Sequence, residues 1–239
     1  MLEKIEKLQV ISLGILIALS LVISTKLVAS TISNNVISVT GSAYEIVKSD
    51  SGTLTFDINV KRANKQEAYK ASQAQVKIVE EYLKAKQIKN IELKTVNGYY
   101  SYKRDAKGDY TDIPEAYNLN QPISINSDNV ELIKEISNDI TGLIDKGVDI
   151  NVNSPSYDYS KLPELKVTLL EKASKDARAR ATSMLKPTHN SVGKIQSVRM
   201  GVYQITPVDS TSVSDMGIND TSSIDKKVTA VANVAFKIK

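Results

Sequence analysis

Residues Val36–Asp50 read VISVTGSAYEIVKSD and lead into a strictly alternating stretch at Leu54–Val60. Apolar residues at every second position predict a half-buried β-strand, because successive side chains of a strand point to opposite faces. Ser49–Gly52 has the composition of a turn, so the two stretches are predicted to form a β-hairpin. Gly41 lies within Thr40-Gly41-Ser42 in the first strand, where a glycine usually marks a bulge or bend.

Three amphipathic helices are predicted from apolar side chains spaced three or four residues apart. The first begins with a capping pattern at Asn64–Glu67, the second at Asp128 with Glu131, and the third has Pro163 in its first turn. The residues predicted to face a core are Ala68, Ser72, Val76, Val79 and Leu83, then Ile133, Ile136, Ile140 and Leu143, then Leu165, Leu169, Ala173, Ala177, Ala181 and Met184. The predicted order β-β-α-β-β-α-β-α-β-β indicates an α+β fold, with antiparallel sheets and helices packed on them.

One N-terminal hydrophobic helix is predicted to precede this fold. An almost wholly apolar run, Leu8–Ile23, follows Lys4 and Lys7, which is the layout of a membrane anchor or a secretory signal segment. Residues 1–30 are predicted to be an uncleaved anchor because Lys26 directly follows the apolar run, and cleavage after Val28-Ala29-Ser30 is the open alternative. The basic flank predicts a cytoplasmic N-terminus, a linker at residues 31–35 and a domain at residues 36–239 outside the membrane.

The composition excludes several kinds of chemistry. The chain has 239 residues and no cysteine, so disulfides, thiolate nucleophiles and cysteine-bound zinc are ruled out. The 31 basic and 27 acidic residues are spread along the sequence, which predicts a solvated surface and no nucleic-acid partner. His189 is the single histidine, and it has no local partners of the kind that a catalytic triad or a histidine metal site needs.

Two charged motifs have simple structural interpretations. Asp105, Asp109, Asp112 and Glu115 cluster in one segment without the spacing of a calcium-binding loop, so a solvated loop is favoured over a metal site. The run Asp176–Ala181 reads DARARA, and an ion pair between residues four positions apart explains it better than anion binding does. We therefore predict no catalytic, cofactor-binding or metal-binding residues, and no cofactor.

Tyrosines concentrate in one region of the chain. Seven of the eleven fall within residues 99–159, and Tyr99–Tyr110 also carries charged residues and a turn at Lys107–Asp109. Adjacent Tyr99 and Tyr100 point to opposite faces of a strand, so both cannot lie in one core. Two interpretations stay open, because tyrosines anchor protein interfaces and also pair across strands. The predicted interaction residues are Tyr99, Tyr100, Tyr102, Tyr110 and Tyr117.

Four stretches, in matching order and spacing, resemble the SIMPL family (DUF541). They read ISVTGSAYEIVKSD, ANKQEAYKASQAQVKIVEEYLKAKQIKNIELKTV, LEKASKDARARATSML and VGKIQSV, and the resemblance spans about Val36–Lys239. Ser49-Asp50, Gln87-Ile88 and Ala116-Tyr117 depart from the Pro-Asp, Gly-Ile and Gly-Tyr pairs usual in the family. The resemblance implies an exported, self-associating α+β protein of the bacterial cell envelope, loosely linked to stress and without an established active site.

Two hypotheses for function follow. The first is a non-enzymatic envelope protein that acts as a homo-oligomer or by binding a partner. It would cross the bacterial inner membrane once, with its large domain in the periplasm, or be secreted to the periplasm if the leader is cleaved. The alternative is a periplasm-facing ligand-binding or hydrolytic domain. The first is favoured because the sequence offers no convergent set of titratable residues and no glycine-rich phosphate loop.

Overall fold

The computed structural model describes the backbone of residues 2–32 and 35–239, so two residues of the predicted linker, 33 and 34, lie outside the described residues. The side chains of Lys4, Lys7, Ala29 and Ser30 also lie outside them. The predicted α+β fold is confirmed. The helices are α1 (Leu2–Ile32), α2 (Lys65–Ala85), α3 (Val130–Asp139) and α4 (Leu162–Leu185), with 3-10 turns at Ile140–Lys146 and Lys186–Thr188. The strands are β1 (Val36–Lys48), β2 (Ser51–Arg62), β3 (Asn90–Leu93), β4 (Asn97–Arg104), β5 (Tyr110–Ser127), β6 (Ile150–Val152), β7 (Ser156–Asp158), β8 (Val192–Met200), β9 (Gln204–Pro207), β10 (Ile218–Asn219) and β11 (Asp225–Ile238).

The strands of this part of the chain form two sheets. In the terminal sheet, β1 pairs antiparallel with β11 over its full length, and β8 and β9 pair with the other edge of β11. The short strand β10 runs parallel to β9. In the central sheet, the order is β3-β5-β2-β6, with β4 also paired to β5 and β7 also paired to β2, all antiparallel.

The predicted hairpin between the first two strands is wrong, because β1 and β2 belong to different sheets. Ser49 and Asp50 connect the two strands, and the chain crosses there from one sheet to the other. Two backbone hydrogen bonds hold this connection in place. The Ser49 N–H donates to the Ile224 carbonyl at 2.8 Å, and the Asp50 N–H donates to the Asp158 carbonyl at 3.0 Å. The turn signal in the sequence was correct, but the partner of β1 is the last strand of the chain.

The bulge predicted at Thr40-Gly41-Ser42 is also wrong, because β1 pairs with β11 in unbroken register through these residues. Gly41 is required for a different reason, which is the close approach of helix α4. A Cβ atom at Gly41 would lie 2.7 Å from the Ala177 Cβ and would overlap the Ala173 carbonyl oxygen. A glycine in a strand can mark such an approach as well as a bulge.

The predicted helix faces are buried, with one exception. The faces of α2 and α3 pack on Leu54, Phe56, Ile58 and Val60 of β2 and form the larger core. Helix α4 packs its alanines on the terminal sheet. The exception is Met184, which is 60% exposed, whereas Leu185 is buried. The buried positions of α4 recur every four residues, so Leu185 continues the stripe and Met184 lies about 100° around the helix from it.

The predicted caps are largely confirmed. The Asn64 side chain accepts the Glu67 N–H at 2.9 Å, and its amide donates back to the Glu67 carboxylate at 2.8 Å. Asn129 caps α3 in place of the predicted Asp128. Gly147 ends the 3-10 turn after α3 with a left-handed backbone, at φ 82°.

Helix α1 carries exposed apolar side chains on all sides over Ile11–Ile23. Among the described residues, no helix is both long enough and apolar enough to cross a membrane.

Candidate functional site

The predicted tyrosine region folds as a hairpin that projects from the central sheet. Strand β5 pairs with β2 only from Tyr117 onward, while β4 continues to pair with β5 as far as Tyr110. At the tip, the Asp105 carboxylate accepts the backbone N–H groups of Lys107 and Asp109, and Gly108 takes up a positive φ of 91°. We call residues 97–116 the tyrosine hairpin.

Large side chains on the tyrosine hairpin are exposed to solvent. Tyr99 is 69% exposed and Tyr110 is 71% exposed, and Tyr102 and Ile113 are also exposed. The Arg104 guanidinium lies 4.2 Å from the centre of the Tyr110 ring and donates a 2.7 Å hydrogen bond to its hydroxyl. The contact is a cation–π interaction that leaves most of the Tyr110 ring exposed.

Tyr117 differs from the other predicted interaction residues, because it is only 8% exposed and belongs to the core. Its ring meets the Tyr100 ring edge to face, with centroids 4.9 Å apart. It also lies over Gly98, where a Cβ atom would be 2.5 Å from the Tyr117 hydroxyl. The cross-strand interpretation therefore applies to Tyr100 and Tyr117, and Tyr99, Tyr102 and Tyr110 remain the surface candidates.

Sequence reasoning missed an amide-rich cleft at the base of the hairpin. Asn97, Asn120 and Asn59 form one cross-strand row over β4, β5 and β2, and Tyr99 lies opposite Asn118 in the next row. Directly paired residues of antiparallel strands share a face, so these side chains lie together on the face turned away from α2 and α3. The cleft measures about 280 Å³, and its lining also includes Lys61 and Asp149. The signal was polar side chains at alternate positions, in Asp57-Ile58-Asn59 and in Asn118-Leu119-Asn120, a pattern that any solvent-facing strand can show.

The motif Asp176–Ala181 has the structural role that the sequence favoured. Asp176 and Arg180 form an ion pair at 2.7 Å, and the Asp176 carboxylate also accepts the Ser42 N–H at 2.8 Å. That backbone hydrogen bond lowers the pKa of the Asp176 carboxyl. His189 lies exposed in the turn after α4 with a positive φ of 57°. Within the described residues, no group of three or more metal-ligating side chains is found.

A buried lysine lies where the two sheets meet. Lys226 is 3% exposed, and its ammonium donates a 2.6 Å hydrogen bond to the Asp220 carbonyl, with the Asp220 carboxylate 3.9 Å away. Burial lowers the pKa of the Lys226 ammonium. Burial opposes ionisation of Asp220, but hydrogen bonds from Ser223 and Ser222 outweigh it and lower the pKa of its carboxyl. The pair fastens the β9–β11 connection to the end of the terminal sheet.

Two sheets with helices packed on them, and a hairpin with exposed aromatic side chains extending from one sheet, define an α+β domain. Residues 37–236 match the family model SIMPL, described as a protein of unknown function (DUF541). Since the match covers most of the chain, the protein belongs to the SIMPL family, which confirms the resemblance noted in its sequence. Comparison with curated proteins finds no match.

Proposed function

We propose that this protein is a non-enzymatic assembly module that self-associates through the tyrosine hairpin. The observation that carries the proposal is the exposure of Tyr102, Tyr110 and Ile113 on a two-stranded extension beyond the end of β2. A two-stranded hairpin is marginally stable alone in water, so large apolar side chains on it gain most when a partner covers them. Tyrosine is also enriched at the centre of protein interfaces.

The charges of the hairpin suit the rim of such an interface. Lys103, Asp105, Lys107 and Asp109 surround the tip, and all four are exposed. Charged residues at an interface rim stay hydrated and cost little to bring together, while a few central aromatic side chains supply most of the binding energy. The interface of a homo-oligomer built on this hairpin would therefore have an aromatic centre and a hydrated, charged rim.

The test is the mass of the full-length chain in mild detergent, measured by light scattering. The variant Tyr102→Ser with Ile113→Ser removes two exposed side chains from the hairpin. Its matched control is Tyr44→Ser with Ile46→Ser, since Tyr44 and Ile46 are exposed side chains of the same types on the terminal sheet. We expect the hairpin variant alone to shift to a smaller species with an unchanged circular dichroism spectrum. A monomeric parent chain at micromolar concentration, or an equal shift in both variants, would contradict self-association through the hairpin.

We also propose that α1 anchors the protein in the bacterial inner membrane, with residues 36–239 in the periplasm. Support comes from the apolar side chains exposed all round Ile11–Ile23, because such a surface is more stable in lipid than in water. Protease added to spheroplasts should then remove the large domain. Survival of the domain until lysis would contradict this orientation, and a mature N-terminus near Thr31 would indicate a cleaved leader.

A further inference from the structure

We propose that the amide-rich cleft, formed by Asn59, Asn97, Asn118, Asn120 and Tyr99, binds a neutral saccharide. Asn97 and Tyr99 belong to the base of the tyrosine hairpin, but Asn59, Asn118 and Asn120 lie outside it on one face of the central sheet, so the cleft can be tested separately from self-association.

The asparagines offer paired donors and acceptors to a ligand. The Asn120 amide donates to the Asn59 carbonyl oxygen at 3.0 Å, which fixes the orientation of both side chains. The Asn59 amide group and the Asn120 carbonyl oxygen are then available, side by side, on neighbouring strands. Each asparagine side chain combines a donor and an acceptor in one plane. Adjacent hydroxyl groups of a sugar ring have the matching property, since each hydroxyl both donates and accepts.

The remaining amides of the cleft are held only loosely by the protein. Among the described residues, Asn97 makes one side-chain hydrogen bond, at 3.4 Å to the Thr95 carbonyl, and no partner is found for the Asn118 side chain. Both lie beside Asn120, on the same face of the sheet. A ligand that supplies hydroxyl groups at this point would therefore complete hydrogen bonds that the protein does not make internally.

The charge of the cleft selects a neutral ligand. Lys61 is the cation of the lining, and it already faces Glu115 at 3.6 Å. Asp149 places a carboxylate at the other side of the cleft, which disfavours phosphate and carboxylate groups and provides a strong acceptor for a hydroxyl group. Nucleic acid is disfavoured for the same reason, because its binding depends on unpaired cations along a backbone of phosphates.

Tyr99 supplies the apolar wall that a sugar ring needs. Its ring is 69% exposed and borders the cleft. An aromatic face packs well against the C–H groups on one side of a pyranose, while the hydroxyl groups at the ring edge reach polar partners. A peptide that added to the sheet would use the edge of β4 that does not pair with β5, and it would not reach the central row of amides. The central row of this cleft lies on β5 and β2, which are already paired on both edges. The volume of about 280 Å³ lies just below the usual range of ligand sites, which suits one or two sugar rings with the rest of a chain outside the cleft.

The experiment uses the full-length protein in a zwitterionic detergent without a sugar head group. The probes are three neutral trisaccharides, namely maltotriose, cellotriose and N,N′,N″-triacetylchitotriose, each observed by saturation-transfer NMR at about 5 mM, a concentration that detects millimolar dissociation constants. We expect at least one probe to bind, and competition among the probes to identify the preferred ring.

Variants locate the site. Asn59→Ala with Asn120→Ala, and separately Tyr99→Ala, should each weaken binding about tenfold or more, because each removes one of the two kinds of contact. Tyr99→Phe should retain binding, since the ring face is kept. The matched control is Asn153→Ala, an exposed asparagine on the same sheet that bonds to Thr55, outside the cleft. Absence of binding for all three probes, or equal binding in the cleft variants and Asn153→Ala, would overturn the proposal. The oligomer mass of Asn59→Ala with Asn120→Ala should not change, because both residues lie outside the tyrosine hairpin, so this variant separates saccharide binding from self-association.

Discussion

Gly41 of β1 and Ala177 of α4 meet so closely that a Cβ atom at Gly41 would lie 2.7 Å from the Ala177 Cβ. The neighbouring residues form a second link, in which the Asp176 carboxylate accepts the Ser42 N–H at 2.8 Å. The alanine stripe of α4 and a glycine of β1 thus set the distance between helix and sheet. The exposed edge of β1 is partly covered by the same contact, because the Ser42 N–H that Asp176 binds is no longer available to another strand.

We expect Gly41→Ala to lower the free energy of unfolding by about 3 kcal/mol, because the obstructing atoms include helix backbone that cannot move aside easily. The matched control is Gly142→Ala, where an added Cβ meets nothing within 4 Å. Urea unfolding of both variants, followed by circular dichroism, measures the difference. Equal stability of the two variants would show that α4 can shift away from β1 at little cost.

Local features of the fold could be predicted from the sequence, and long-range pairing could not. The Asn64 cap and the α2 stripe depend on residues within a few positions of one another, so a single pattern specifies them. The turn at Ser49–Gly52 is equally local, yet nothing in it distinguishes a hairpin from a crossing between sheets. Strand β1 finds its partner in β11, at the opposite end of the chain.

The candidate surfaces, like the fold, could be predicted where they depend on local geometry and could not be predicted where they depend on strand register. The opposite orientation of Tyr99 and Tyr100 follows from strand geometry, and it correctly indicates that only part of the tyrosine cluster is exposed. Which tyrosine enters the core depended on Gly98, because its missing side chain leaves space for the Tyr117 ring. The amide-rich cleft needed the register of three strands, which places Asn97, Asn120 and Asn59 side by side.

The contact of Gly98 with Tyr117 predicts how the tyrosine hairpin is attached to the central sheet. A Cβ atom at Gly98 would lie 2.5 Å from the Tyr117 hydroxyl, so Gly98→Ala should displace the Tyr117 ring and its edge-to-face contact with Tyr100. We expect about 1–3 kcal/mol of destabilisation, confined mainly to the hairpin. Hydrogen exchange should accelerate for the amides of β4, while those of α4 stay protected. Unchanged exchange in β4 would mean that the ring is free to move.

The buried Lys226 predicts a strong difference between two adjacent lysines. Lys226→Met leaves the Asp220 carboxylate buried without its cation, and losing one member of a buried pair costs about 3–5 kcal/mol. Lys227→Met is the matched control, because Lys227 is partly exposed and donates to the Ser210 carbonyl. We expect urea unfolding to show a loss for the control of about 1 kcal/mol. Adding Asp220→Asn to Lys226→Met should recover part of the loss, and no recovery would show that the carboxylate is not the source of the cost.

Asp50 predicts a dependence of stability on pH. The Ser160 hydroxyl and N–H donate to its two carboxylate oxygens at 2.6 and 2.8 Å. These hydrogen bonds, that from the hydroxyl most of all, lower the pKa of the Asp50 carboxyl below its ordinary value of 3.8. The unfolded chain therefore binds this proton at a higher pH than the folded chain does. The stabilisation is complete above the unfolded pKa and is lost as the pH falls through the folded pKa.

Asp50→Asn removes this charge, and we expect it to lower the free energy of unfolding by about 1–2 kcal/mol at neutral pH. Since the parent chain loses the same contribution in acid, the difference in stability between parent and variant should shrink as the pH falls below the ordinary carboxyl pKa of 3.8. Urea midpoints recorded for both chains between neutral and acidic pH give this difference directly. Asp145→Asn, at an exposed position in the 3-10 turn after α3, is the control for removing any one carboxylate. A difference between Asp50→Asn and the parent that stays constant with pH would mean that the Ser160 hydrogen bonds do not depend on the Asp50 charge.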